Sequence, residues 1–123
     1  MNVVLIGLGG FTGAIARYAI DGWVTALGRG AFPWGTLVIN VSGSLVLGLL
    51  FALGTERAVI PQELRSPLMI GFIGAYTTFS TLALESWRLL EDGAWLLGAV
   101  NLGGSIALGL VAVLAGVLIG RAI

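Results

Sequence analysis

The chain has no cysteine, no histidine and no lysine. With no thiolate and no imidazole there is no metal site built on those groups, no Cys–His nucleophile pair and no disulfide to report a redox compartment. Charge is scarce too, at 10% of residues against roughly 25% in a soluble domain. Six arginines balance six acids without forming a basic run, so nucleic acid is not an expected partner. The acids Asp21, Glu56, Glu63, Glu85, Glu91 and Asp92 form no paired-carboxylate spacing that suggests hydrolysis, and no enzyme is expected. The first residues lack the basic region and cleavage site of a secretory signal, so the chain is read as mature from residue 1.

What the chain does have is apolar length. Hydrophobic residues make up 58% of its 123 positions, and the flanking charges cut out four uncharged stretches, 3–16, 30–55, 66–84 and 93–120. A span needs about 20 apolar residues, which three of the stretches supply. The first reaches that length when its helix continues past Arg17 to about Leu27. The expectation is a single-domain, all-α membrane protein with four transmembrane helices, near 3–27, 33–54, 66–89 and 94–120. It would be a multi-pass protein of the cell (inner) membrane, in contact with lipid. Residues 28–34 and 91–93 read as turns, and residues 55–67, with two prolines and four charges, as the longest polar loop. Trp23, Trp34, Trp87 and Trp95 fall near predicted helix ends, as interfacial aromatics do.

The arginines show no bias between the two sides. Arg57, Arg65 and Arg121 lie on the side of the N-terminus, Arg29 and Arg88 on the other, and Arg17 is assignable to neither. The positive-inside rule therefore sets no orientation, and a chain of this kind is able to insert both ways and pair antiparallel. Small residues recur at helical spacing (Gly9 and Gly13, Ser44 and Gly48, Ala112, Gly116 and Gly120), a pattern for close helix packing. Four helices enclose little interior, so oligomerisation is expected.

Polar groups inside the spans carry the functional signal. Residues 71–82 hold two glycines, four Ser/Thr hydroxyls and three aromatics at the middle of an uncharged run. Such groups loosen a helix and offer hydrogen bonds where little water competes. Thr36, Asn40 and Ser44 share one face of the second span; Asn101, Ser105 and Gly109 form a similar stripe in the fourth. Helix association and an ion path explain these stripes equally well. Glu85 lies one turn beyond Thr81 and Arg17 in the later half of the first span, and each is read as a snorkelling charge in the commoner case. Amides, hydroxyls and ring edges all present partial positive charge, which suits a small, hard anion. Unwinding at Gly74 to Thr78 would also free carbonyls for a cation such as Na⁺.

Taken together, these segments resemble the Fluc (CrcB) family of fluoride channels. The resemblance rests on Gly9-Gly10-Phe11-Thr12-Gly13-Ala14-Ile15-Ala16-Arg17-Tyr18, on Gly35-Thr36-Leu37-Val38-Ile39-Asn40-Val41-Ser42-Gly43-Ser44, and on residues 71–80 with Thr81 and Glu85, and it covers nearly the whole chain. It implies a third helix broken midway and an antiparallel, dual-topology dimer. It also implies two narrow fluoride pores and one structural Na⁺ at the dimer centre. By the same resemblance Asn40 donates to fluoride and Phe79 presents a ring edge. Thr36 and Glu85 mark one end of the pore, Ser80, Thr81 and Ser105 belong to its polar lining, and Arg17 sits at the vestibule. Gly74 and Thr77 would give backbone carbonyls to Na⁺. Leu82 stands where the family usually has a second phenylalanine, and Asn101 where it often has tyrosine. The resemblance implies passive fluoride export and resistance to fluoride, by a homodimer or by a heterodimer with a paralogue. Two rival classes are a proton-coupled exporter of organic cations, which the lack of a carboxylate deep in a span argues against, and a non-transporting membrane partner subunit.

Overall fold

A computed structural model describes residues 2–123 and is helical throughout, with four segments long and apolar enough to cross a bilayer. Helix α1 is Asn2–Leu27. Helix α2 is Trp34–Phe51 and runs on as a π-helical stretch, Ala52–Glu56. The third span is made of two helices. Helix α3 starts at Gln62–Ser66, widens into a π-helix over Pro67–Ile73 and closes with the turn Gly74–Tyr76. Helix α4 is Phe79–Glu91, and helix α5 is Trp95–Ala122.

Two expectations needed correction. The polar loop foreseen over 55–67 is mostly helical, because α2 extends to Glu56 and α3 begins at Gln62. Pro61 precedes α3 and Pro67 falls inside the span, at the start of its π-helical stretch. The unwinding foreseen over Gly74–Thr78 is confined to Thr77 and Thr78; Gly74–Tyr76 keeps a helical turn.

Glycine decides which helices meet. A Cβ on Gly9 or Gly13 would run into the main chain of Pro67 or Phe72, and one on Gly71 into the carbonyl of Ile6, so α1 and α3 lie backbone to backbone. The same holds for α2 and α5, where Gly48 faces Val113 and Gly116 faces Leu45. Lipid tails offer no hydrophobic drive for helices to associate, so close van der Waals approach at such small residues supplies it. At the end of this second pair Arg121 donates two hydrogen bonds to Glu56, at 2.7 and 2.6 Å, and Arg57 donates to the Gly120 carbonyl at 3.1 Å.

The segments joining the spans are 28–33, 57–61 and 92–94. At roughly 3.5 Å per residue none can cross a hydrocarbon core about 30 Å thick, so successive spans alternate in direction. That alternation has a consequence for the tryptophans. Trp23 and Trp87 lie near the ends of α1 and α4, while Trp34 and Trp95 open α2 and α5. All four are exposed, and all four lie on one face of the membrane.

Candidate functional site

The third span runs from Gln62 to Glu91, and its interruption at Thr77 and Thr78 falls near its middle. Thr77 has φ −80° and ψ 158°, and Thr78 φ −150° and ψ 111°; both are extended. The amides that a continuous helix would use here are redirected. Thr78 N–H donates to Asn40 Oδ1 at 2.8 Å instead of to Gly74. Thr81 N–H donates to Thr78 Oγ1 at 3.3 Å instead of to Thr77, which makes Thr78 the N-cap of α4. Thr78 Oγ1 in turn donates to Thr81 Oγ1 at 2.9 Å. The carbonyls deprived of their i+4 amides therefore include those of Gly74 and Thr77.

Helix α2 supplies the support for this break. Asn40 Nδ2 donates to the Thr78 carbonyl at 3.0 Å, so a single side-chain amide holds both main-chain groups of one residue. Ser42 Oγ and Tyr76 Oη are 2.8 Å apart. Gly43 leaves room for Thr77, whose methyl occupies the space a Cβ at 43 would take. A cavity of about 220 Å³ opens beside the break, lined in part by Asn40, Ser44, Thr78, Phe79, Leu82 and Ser105. One Asn40 N–H is committed to Thr78, and the amide retains a second donor. The Ser105 hydroxyl is buried and has no partner among the described residues. A buried hydroxyl without a partner costs free energy, and Ser105 is one of the residues that line the cavity.

A second polar cluster lies about one helical turn nearer the tryptophan face. Thr36, which is buried, donates to Glu85 Oε1 at 2.8 Å, while Glu85 Oε2 is buried with no partner among the described residues. Glu85 is thus tied into the protein and does not snorkel. Asn101 is fully buried and donates from Nδ2 to Ser86 Oγ at 3.0 Å, and its Oδ1 has no partner among the described residues.

The structure thus brings Asn40, Phe79 and Ser105 to one cavity, with Thr77 beside them and Thr36 joined to Glu85 close by. Ser80 and Thr81 are exposed on the surface of the chain next to Phe79, which is itself 74% exposed. Arg17 is half-buried on α1, lies outside the cavity lining and makes no hydrogen bond or ion pair among the described residues. Sequence reasoning assigned no role to Thr78 or Ser86. Thr is a preferred N-cap residue type, which is the signal for the former; nothing in the sequence marks the latter.

Comparison with known proteins fits this geometry. A family model described as "CrcB-like protein, Camphor Resistance (CrcB)" matches residues 4–117. The chain belongs to the CrcB family. It is 44% identical to a "Fluoride-specific ion channel FluC" of Magnetococcus marinus, covering 100% of both chains. A protein of the same name from Geobacter metallireducens is 45% identical over 98% of each chain. Another, from Solidesulfovibrio magneticus, is 46% identical over 96% of this chain and 94% of its own. Among CrcB relatives, then, the name attached is that of an ion channel.

Proposed function

We propose that this CrcB chain is a fluoride-selective channel that exports F⁻ passively across the cell membrane and so protects against fluoride. The observation that carries the reading is a mid-span cavity lined by Asn40, Phe79 and Ser105, whose hydroxyl is buried with no partner among the described residues, in a chain whose relatives are named fluoride-specific channels. Fluoride holds its water strongly, so its passage requires several donors that converge in a narrow, dry path. Hydroxyl, amide and ring edge are donors of that kind, and none of them carries a full charge that would trap the ion.

The conducting unit in this reading is an antiparallel homodimer. Polar side chains are costly against lipid, yet Ser80 and Thr81, with Gly74 and Phe79 beside the break, are all exposed on the single chain at mid-span. A second chain packed over that face would cover them. The tryptophans favour an inverted second copy: one chain places all four on one face, whereas membrane proteins carry aromatic belts at both interfaces. Two chains related head to tail complete both belts.

Na⁺ fits the carbonyls released at the break. Among the described residues no acidic cluster is present, so the ligands would be neutral oxygens, those of Gly74 and Thr77 from each protomer. The ion would supply a fixed positive charge holding the two broken helices together.

Proteoliposomes loaded with KF and opened with valinomycin test the main claim. Rapid fluoride efflux without matching chloride efflux is expected. Absence of efflux from well-folded protein, or equal chloride efflux, would sink it.

A further inference from the structure

A broken helix in a medium of low dielectric has a strong tendency to close. Each unpaired N–H or C=O away from water costs free energy, and pairing Thr78 N–H with the Gly74 carbonyl would remove one of each. Something must offer Thr78 a better arrangement than the helix does. The Asn40 amide is planar and carries an acceptor at 2.8 Å from Thr78 N and a donor at 3.0 Å from Thr78 O. It pairs with both groups as a neighbouring β-strand would, and so adds to the N-cap in favouring the extended φ −150° and ψ 111° at that residue. No other side chain does this from the same position: Asp has no donor, Ser is too short, and Gln sets the amide one methylene further out.

We propose that Asn40 is the positioning residue of the helix break. By pairing with both main-chain groups of Thr78 it keeps that amide away from Gly74, holds the third span open beside the cavity, and makes conduction depend on the pairing itself. Its contact with an ion in the cavity is a separate role, carried by its remaining N–H. The part of the test that reads flux rests on the fluoride reading; the part that reads the backbone does not.

The backbone measurement is NMR on the folded, reconstituted protein. In the unsubstituted chain the Thr78 amide should exchange slowly and its Cα shift should be that of extended chain. In Asn40→Leu the amide should either exchange about fivefold faster, as loss of one hydrogen bond implies, or take a helical Cα shift as it re-pairs with Gly74. An amide that keeps both its rate and its extended shift overturns the proposal. The second variant leaves Asn40 untouched and replaces the amide linkage preceding Thr78 with an ester. The ester oxygen then faces Asn40 Oδ1, two acceptors in contact, and fluoride flux should fall at least fivefold, roughly one hydrogen bond's worth. Flux equal to that of the unsubstituted chain would show that only the ion contact of Asn40 matters, and would overturn the proposal. If the unsubstituted chain carries no fluoride at all, the channel reading fails while the NMR result still judges the positioning role.

Discussion

Asn40, Thr36, Asn101 and Ser105 are polar residues in apolar helices, and each meets the cost of burial differently. Asn40 is paired with backbone, Thr36 with Glu85 and half of Asn101 with Ser86, whereas Ser105 has no partner among the described residues. Ser105 belongs to the cavity lining, so Ser105→Ala should lower fluoride flux while leaving thermal stability unchanged or slightly raised, since a buried orphan hydroxyl is removed. A flux assay beside a melting curve checks both halves. Phe79→Ile keeps bulk but loses the electropositive ring edge, and its flux should fall by roughly tenfold or more, the effect of about 1.4 kcal/mol on a barrier. Thr36→Val presents a different balance. It removes a partner from Glu85, whose other carboxylate oxygen is already unpaired, and should cost about 1–3 kcal/mol of stability in a denaturation series.

At the scale of elements the break in the third span is a collaboration between helices. Within the span Thr78 caps α4, but the groups that keep α3 from running on come from α2: Asn40, Ser42 and the gap left by Gly43. Thr78→Val removes the cap hydroxyl while keeping the β-branched shape that suits an extended residue. It should destabilise the protein by about 1 kcal/mol, the usual worth of an N-cap. Gly43→Val acts from the other side. It would collide with Thr77 and displace the break without removing any hydrogen-bonding group, so flux should be lost even where folding, read by circular dichroism, survives. Preserved flux in Gly43→Val would mean that the position of Thr77 is irrelevant to conduction.

For the whole molecule the question is how a protomer with one aromatic face and one exposed broken helix sits in a bilayer. The natural absence of cysteine makes the answer directly measurable. Single cysteines introduced at Val59, between the second and third spans, and at Asp92, between the third and fourth, should each be labelled from both sides of the membrane by an impermeant maleimide, about half from each. Labelling of either site from one side only would exclude the head-to-tail pair. Complete replacement of Na⁺ by a larger cation should lower flux or loosen the dimer; indifference would leave the freed Gly74 and Thr77 carbonyls without that role.

Much of this was legible in the chain as written. Four apolar runs between sparse charges specify spans because a bilayer core penalises charge regardless of what else is present, and Gly9, Gly13 and Gly116 announce close packing because only small residues permit it. The polar stripe of Thr36, Asn40 and Ser44 was visible for the same reason: one helix face follows from spacing alone. The partners of that stripe were not visible. That Thr36 meets Glu85, that Asn40 grips Thr78 and that Asn101 is spent on Ser86 depend on how α2, α4 and α5 are set against one another. The π-helical stretches and the narrowing of the break to Thr77 and Thr78 have the same origin. A helix in lipid keeps its own hydrogen bonds unless a neighbour offers replacements, and which neighbour stands close enough to offer them is settled only when the helices pack.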